Sequence, residues 1–191
     1  MAETPARKRR PRADAERNRQ RLLEAAKTVF GRDGAAASLE EIARTAEVGI
    51  GTLYRHFPTR DALIESVYHQ AIGQLGEAAE QLAESHAPAD AIREWLHLFI
   101  DYMSTKRIMS EALNSLDGGA GRIHASSGDV MRRALTSLVR RAEAAGEIRS
   151  VPDPYDLLRA VAGIHYISPD EDWEPGARAM ADLLIAGLRR S

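Results

Sequence analysis

The chain has 191 residues, 44% of them hydrophobic, and a net charge of -2, enough apolar content for one globular unit or two small ones. It has no cysteine, which excludes disulfides, thiolate metal sites and cysteine nucleophiles. A charged N-terminus and the lack of any run of about 18 apolar residues predict neither a signal peptide nor a membrane span, so a soluble cytoplasmic protein is expected. The small net charge hides an asymmetry: residues 1–60 hold 13 Lys/Arg against 8 Asp/Glu, and residues 61–191 hold 13 against 20. The first part suits a polyanion, and the acidic remainder points to a separate task.

Apolar positions recur at helical spacing throughout, which predicts an all-α protein of about nine helices. Residues 1–17, "MAETPARKRRPRADAER", lack apolar periodicity and read as a disordered basic arm. Leu22, Ala26, Val29 and Phe30 mark one face of a first helix that stops at "GRDG". Ser38 stands at an N-cap with Glu41 three positions on, and Leu39, Ile42, Ala43 and Ala46 form the buried face of a short second helix. After the break "EVGI", Leu53 and Phe57 share a face of a third helix of barely two turns. Pro58 interrupts, and Thr59 caps a long fourth helix from about 60 to 83. Two short helices across a four-residue turn outline a helix-turn-helix. Residues 18–60 are therefore read as a DNA-binding domain and 61–191 as a helical regulatory and dimerisation domain, joined by the fourth helix.

Beyond "SHAPAD", Ile92, Trp95, Leu96, Phe99 and Met103 define a fifth helix, and residues 108–116 a short sixth. "DGGAGRIHASSGD" is rich in glycine and serine and reads as a mobile loop. Met131, Leu135, Leu138 and Ala142 mark a seventh helix ending near "AAGEI", and residues 154–168 and 176–190 form the last two. These last two are apolar on more than one stripe, so they need two surfaces to pack against. A dimeric four-helix bundle is expected, with Leu158, Val161, Ala162, Tyr166, Leu184 and Leu188 at its interface and Gly163 and Gly187 permitting close approach.

The stretch "GIGTLYRHFPTRDAL" crowds aromatic and basic residues into one helical turn. With Leu53 and Phe57 turned to the core, Thr52, Arg55 and His56 fall on the opposite side and Tyr54 flanks them, a set of hydrogen-bond donors suited to DNA phosphates and base edges. Gly51 lets the backbone approach, and Arg60 opens the fourth helix where the dipole already favours an anion. Ser38, at the cap of the second helix, is counted with them. The arm "RKRRPR", with Arg9 and Arg10, is either a solvated tail or, beside a helix-turn-helix, a minor-groove arm.

The segment "SLEEIARTAEVGIGTLYRHFPTRDAL" resembles the DNA-binding domain of the tetracycline-repressor (TetR) family of bacterial transcriptional regulators, and the resemblance spans residues 18–68. Residues 85–191 are similar to that family in helix number and length, and "PDPYDLLRAVAGI" and "ADLLIAGLRR" resemble its SbtR-like subgroup. The resemblance implies that Tyr54 and His56 bind phosphates, that Arg60 replaces a phosphate-binding lysine, and that Thr52 and Arg55 face bases. Two departures stand out. Glu47 replaces a glycine of the turn, at a cost of roughly 1–2 kcal/mol if φ stays positive, and Gly49 replaces the usual hydroxyl cap.

The same resemblance implies a homodimer on a palindromic double-stranded operator, most commonly repressing, released by an unidentified small-molecule effector, and nucleoid-associated when bound. Trp95, Phe99, Tyr102, Met103, Met109, Met131 and His165 are candidate pocket residues, or else plain core. No cofactor, metal site or catalytic residue is expected. The chain has no P-loop, Gly-x-Ser-x-Gly or His-Glu-x-x-His, and His86, His97, His124 and His165 lack metal-ligand spacing. The alternative is an architectural DNA binder without sequence preference.

Overall fold

Leu22, Leu23, Ala26, Val29 and Phe30 repeat at helical spacing, and all five are buried along one face of α1 (Arg10–Asp33). The computed structural model describes residues 10–114, 121–167 and 173–190. A single 3-10 turn, η1 (Gly34–Ala36), leads to α2 (Leu39–Thr45) and α3 (Ile50–His56), followed by α4 (Arg60–Ser85), α5 (Pro88–Ile108) and α6 (Ser110–Asn114). The chain continues through α7 (Gly121–Ala144), α8 (Tyr155–Ile167) and α9 (Trp173–Leu188). Among the described residues no helix is long and apolar enough to cross a membrane.

The chain divides into two compact units. In the first, which runs to Tyr68 and also takes in α6, the face of α1 meets Ile42, Ala43 and Ala46 of α2, Leu53 of α3, and Phe57. Leu63 and Ile64 of α4 are buried in the same unit. Each buried Leu, Ile, Val or Phe contributes about 1.5–3 kcal/mol, which is what holds helices as short as the seven residues of α2 and α3. Caps add the ends. Ser38 Oγ accepts from the Glu41 N–H at 3.1 Å and Thr59 Oγ1 from the Ala62 N–H at 3.1 Å, both as the sequence predicts. The Glu41 carboxylate turns to Arg44 at 2.8 Å.

The turn between α2 and α3 closes with the Val48 N–H on the Ala43 carbonyl and the Glu47 N–H on the Arg44 carbonyl, both at 3.0 Å. These two bonds make a Schellman cap, whose central residue is left-handed. That residue is Glu47, with φ of 53°. The end of α7 uses the same pair of bonds, Glu147 to Ala142 and Gly146 to Glu143, with Gly146 in the left-handed place. One cap thus carries the residue suited to it and the other does not.

The second unit comprises residues 69–107 and the chain from α7 onward. Ile92, Trp95, Leu96 and Ile100 of α5 are fully buried there, as are Leu135 and Val139 of α7 and Val161 of α8. The indole N–H of Trp95 donates to the Leu75 carbonyl at 2.8 Å. A Cβ at Gly76 would lie 3.2 Å from Val130 Cγ1, so glycine permits this approach of α4 to α7. The Glu147 carboxylate caps α5 through the Ala89 N–H at 2.9 Å. The backbone of residues 147–149 also pairs with the end of α9 and the residues after it, Arg149 N–H to Leu188 carbonyl at 2.8 Å and Arg190 N–H to Glu147 carbonyl at 2.9 Å.

Three boundaries differ from expectation. Residues 10–17, read as arm, are the first turns of α1. Their Arg, Ala and Glu residues favour helix, but no apolar stripe reaches them, so periodicity is blind to this extension. Residues 121–129, read as mobile loop, open α7; a helix seeded further on propagates through weak formers at little cost. Helix α9 starts at Trp173, with Pro175 tolerated in its first turn. The remaining arm residues 1–9 and loop residues 117–120 lie outside the described residues.

Replacing Glu47 by glycine should raise stability by about 0.5–1 kcal/mol, even though it removes an exposed ion pair. Glu47→Ala keeps the strained Cβ and should bring no gain. Urea unfolding of the three proteins at one concentration checks this, and an alanine variant as stable as the glycine variant would contradict it.

Candidate nucleic-acid interface

Leu53 and Phe57, both buried, fix the rotation of α3. That rotation leaves Gly51, Tyr54 and Arg55 exposed, with Thr52 and His56 half-buried. Tyr54 is 47% exposed, high for an aromatic residue inside a helix. A Cβ at Gly51 would meet nothing within 4 Å, so internal packing does not require glycine there. Ser38 is also exposed, its oxygen accepting from the cap N–H while its own O–H proton stays available. These six residues share the outer side of one helix-turn-helix. The ring of His56 tilts against Phe57 at 6.1 Å between centroids.

Arg60, expected to hold a phosphate, is engaged within the unit instead. Its guanidinium turns into the first unit, where Nη1 donates to the Ala37 carbonyl and Nη2 to the carbonyls of Ala35 at 3.0 Å and Gly34 at 3.2 Å. It also lies over the Phe30 ring, 4.8 Å from the centroid. The carbonyls of a tight turn have few internal partners, and a planar five-donor fork can take three at once where an ammonium cannot. Arg60 thus ties the start of α4 to η1. Helix α6 packs on η1 as well.

Pairing sorts the remaining cations. Arg44 and then Arg32 bind Glu41, whose carboxyl is held below the usual range chiefly by the hydrogen bond from Arg44. Arg32 also grips Asp33 at 2.6 Å, Arg17 pairs with Asp14, and Arg21 reaches the strained Glu47 at 2.5 Å. Arg19 lies over the Phe57 ring at 5.6 Å. Among the described residues of this unit, Lys27 and Arg55 have neither an acidic partner nor a ring beneath them. Arg19 and Lys27 were not singled out in the sequence, because a charge on a helix shows only its register there and not its neighbours. Arg10 opens α1 with its side chain undescribed, and Arg9 lies outside the described residues.

The expected pocket residues are distributed over both units. Trp95, Phe99 and Tyr102 stack in series along α5 with centroids 6.3 Å apart at each step. All three are buried, as is Met131 on α7, and Met103 is half-buried. Met109 is buried in the first unit. His165 on α8 packs against Trp173 at 4.9 Å. A cleft of about 580 Å³ between α4 and α7 is lined by Gly76, Ala79, Glu80, Glu84 and Arg133 among others. A buried aromatic stack is what a filled core needs, and periodicity cannot tell it from a pocket wall.

The expected dimer residues differ in exposure. Leu158 and Val161 are buried within the unit, while Ala162, Leu184 and Leu188 are half-buried. The exposed apolar side chains of α8 and α9 are Tyr166 at 76%, Ile167 at 84%, Leu183 at 67% and Met180 at 37%. Tyr166 belongs to the expected set, and Ile167, Leu183 and Met180 extend it.

Comparison with known proteins follows the same division. Residues 22–67 match the family of bacterial regulatory proteins called tetR, and residues 87–190 match the C-terminal domain of SbtR-like transcriptional regulators. The chain is 25% identical over 155 residues to the transcriptional repressor KstR of Mycobacterium tuberculosis, covering 80% of this chain and 70% of that one. It is 42% identical to the TetR transcriptional regulator SCO0520 of Streptomyces coelicolor, whose crystal structure superposes with a TM-score of 0.81 over 91% of this chain and 99% of that one. A TetR transcription regulatory protein of Mycobacterium vanbaalenii is 27% identical, with a TM-score of 0.74 over 94% and 99%. The chain belongs to the TetR family of bacterial regulatory proteins, a transcriptional regulator and not an enzyme, with a C-terminal domain of the SbtR-like type.

Proposed function

We propose that the protein binds a palindromic DNA operator as a homodimer, represses transcription from it in the bacterial cytoplasm, and is released by a small molecule held in the second unit. The observation that carries this reading is the outer side of α3, where Thr52, Tyr54, Arg55 and His56 stand over the buried anchors Leu53 and Phe57. In this reading Tyr54, His56 and Ser38 hold phosphates, Gly51 lets the backbone come close, and Thr52 and Arg55 reach base edges. Arg9 and Arg10 add backbone charge from the start of the chain.

The apolar exposure on α8 and α9 supports the homodimer, since side chains of that size in water favour a second copy. Two recognition helices must then meet successive major grooves about 34 Å apart or a multiple of it. A ligand that favours a conformation with another separation releases the operator, by no more than its preference between the two states. The chain offers two routes for such a signal, since α4 runs from the first unit into the second and α6, on η1, is flanked in sequence by second-unit helices.

Four measurements test these roles. Arg55→Ala should weaken the selected operator by about 1–3 kcal/mol and unrelated DNA by less. Arg60→Gln should lower both the melting temperature and operator affinity, yet leave the slope of log K against log salt unchanged; a slope shallower by about 0.9 would restore a phosphate contact to Arg60. Deleting residues 1–9 should flatten that slope by about 0.9 for each phosphate the arm holds. Leu183→Glu should yield a folded monomer in sedimentation with weak operator binding, and a dimer of unchanged stability would remove α9 from the interface.

A further inference from the structure

Among the described residues of the first unit, the large apolar or aromatic side chains left exposed are Ile50 at 38% and Tyr54 at 47%. Both belong to α3, and their i, i+4 spacing places them one turn apart on the same flank. The phenol gives Tyr54 a polar tip to show to water, whereas Ile50 has no donor or acceptor in its side chain. A single exposed isoleucine is ordinary on most surfaces. This one stands within the set of residues that read outward from α3.

Local energetics do not ask for isoleucine at this place. It follows Gly49, which caps α3 without any side-chain hydrogen bond. As a β-branched residue it is a weaker helix former than alanine, lysine or glutamine. Its neighbours on both sides are glycines, and a Cβ at Gly49 or Gly51 would meet nothing within 4 Å. Neither glycine has a positive φ, so neither packing nor backbone conformation requires them. Over these three positions the surface is therefore bare backbone with one branched hydrocarbon standing out from it.

The other outward residues, Thr52, Tyr54, Arg55 and His56, bring hydrogen-bond donors, which suit phosphates and the acceptors of base edges. A hydrocarbon suits neither. The opening residues of a recognition helix meet base edges in the major groove, and the apolar group displayed there is the C5 methyl of thymine. Contact between two hydrocarbons needs an approach of about 4 Å, and glycine on either side keeps neighbouring side chains out of its way. We propose that Ile50 reads a thymine in each half of the operator through that methyl. This deepens the reading of α3 as the DNA-reading helix and rests on it.

Deoxyuridine differs from thymidine by this methyl alone, so exchanging one for the other removes the contact and keeps the base pairing. The operator is first selected by the full chain from a randomised duplex pool. Each thymine of the recovered half-site is then replaced by deoxyuridine, one position at a time and in both halves. At one position the exchange should weaken binding about fourfold per half-site, hence about fifteenfold for the pair, as the loss of one buried methyl requires. With Ile50→Ala, shown to be folded by circular dichroism, the same exchange should change affinity by less than about twofold, because the hydrocarbon that met the methyl is gone. Sequences selected by that variant should lose the thymine preference there and keep the rest of the repeat.

A half-site without thymine, or one in which every thymine is exchanged without loss, overturns the assignment, and both readouts use the unsubstituted protein. A loss that persists undiminished in Ile50→Ala overturns it as well, since another side chain then meets the methyl. Failure of the reading beneath it has a different signature. A pool that yields no preferred sequence removes the operator-reading regulator and this contact together. An inverted repeat indifferent to all of its thymine methyls keeps the regulator and removes Ile50 from its base contacts.

Discussion

A seven-residue helix cannot sustain itself in water, because nucleation costs more than its few internal bonds return. The helix α3 exists because Leu53 and Phe57 are buried against α1 and α2, and its exposed side is set by the same two residues. Rotating them by one position would turn Tyr54 and Arg55 inward. The reading surface is therefore a by-product of core packing, and the long face of α1 is as much a part of it as the residues that stand outside. Clamping by Arg60 extends this logic, since it fixes the start of α4 to the turn that ends α1.

Electrostatics in the first unit is less generous than its sequence suggests. Arg17, Arg21, Arg32 and Arg44 each have an acidic partner, and Arg60 is spent on carbonyls. Exposed pairs of this kind are weak, so phosphates can compete for the arginines that hold them. Such competition makes the cost of freeing each arginine part of DNA affinity. Among the described residues Lys27 and Arg55 carry no such cost.

Much of this was legible in the sequence. Ser38 and Thr59 declare two helix starts by their hydroxyls, the turn after Thr45 is marked by the break in apolar spacing, and Leu53 with Phe57 fixes the facing of α3. The positive φ at Glu47 was also foreseeable, because the resemblance places a glycine there. What was not legible shares one cause: periodicity reports burial and nothing else. It missed residues 10–17 and 121–129, which are helical without a buried stripe. It could not say which of two apolar stripes on α8 faces inward. It had no means of seeing that Arg60 would find carbonyls 23 to 26 positions earlier.

The backbone pairing of residues 147–149 with the end of α9 bears on how the chain matures. The core of the first unit is drawn largely from residues 22–64, so its contacts are local and form early in synthesis. Closure of the second unit waits for Arg189 and Arg190, which join Asp90 and Glu147 across separations of up to 99 residues. On the ribosome, a competent DNA-reading unit therefore precedes the finished unit that is to govern it. Translation that stops short of residue 189 would leave the reading helices without a closed partner, and the order of the chain makes completeness of the message a condition of control.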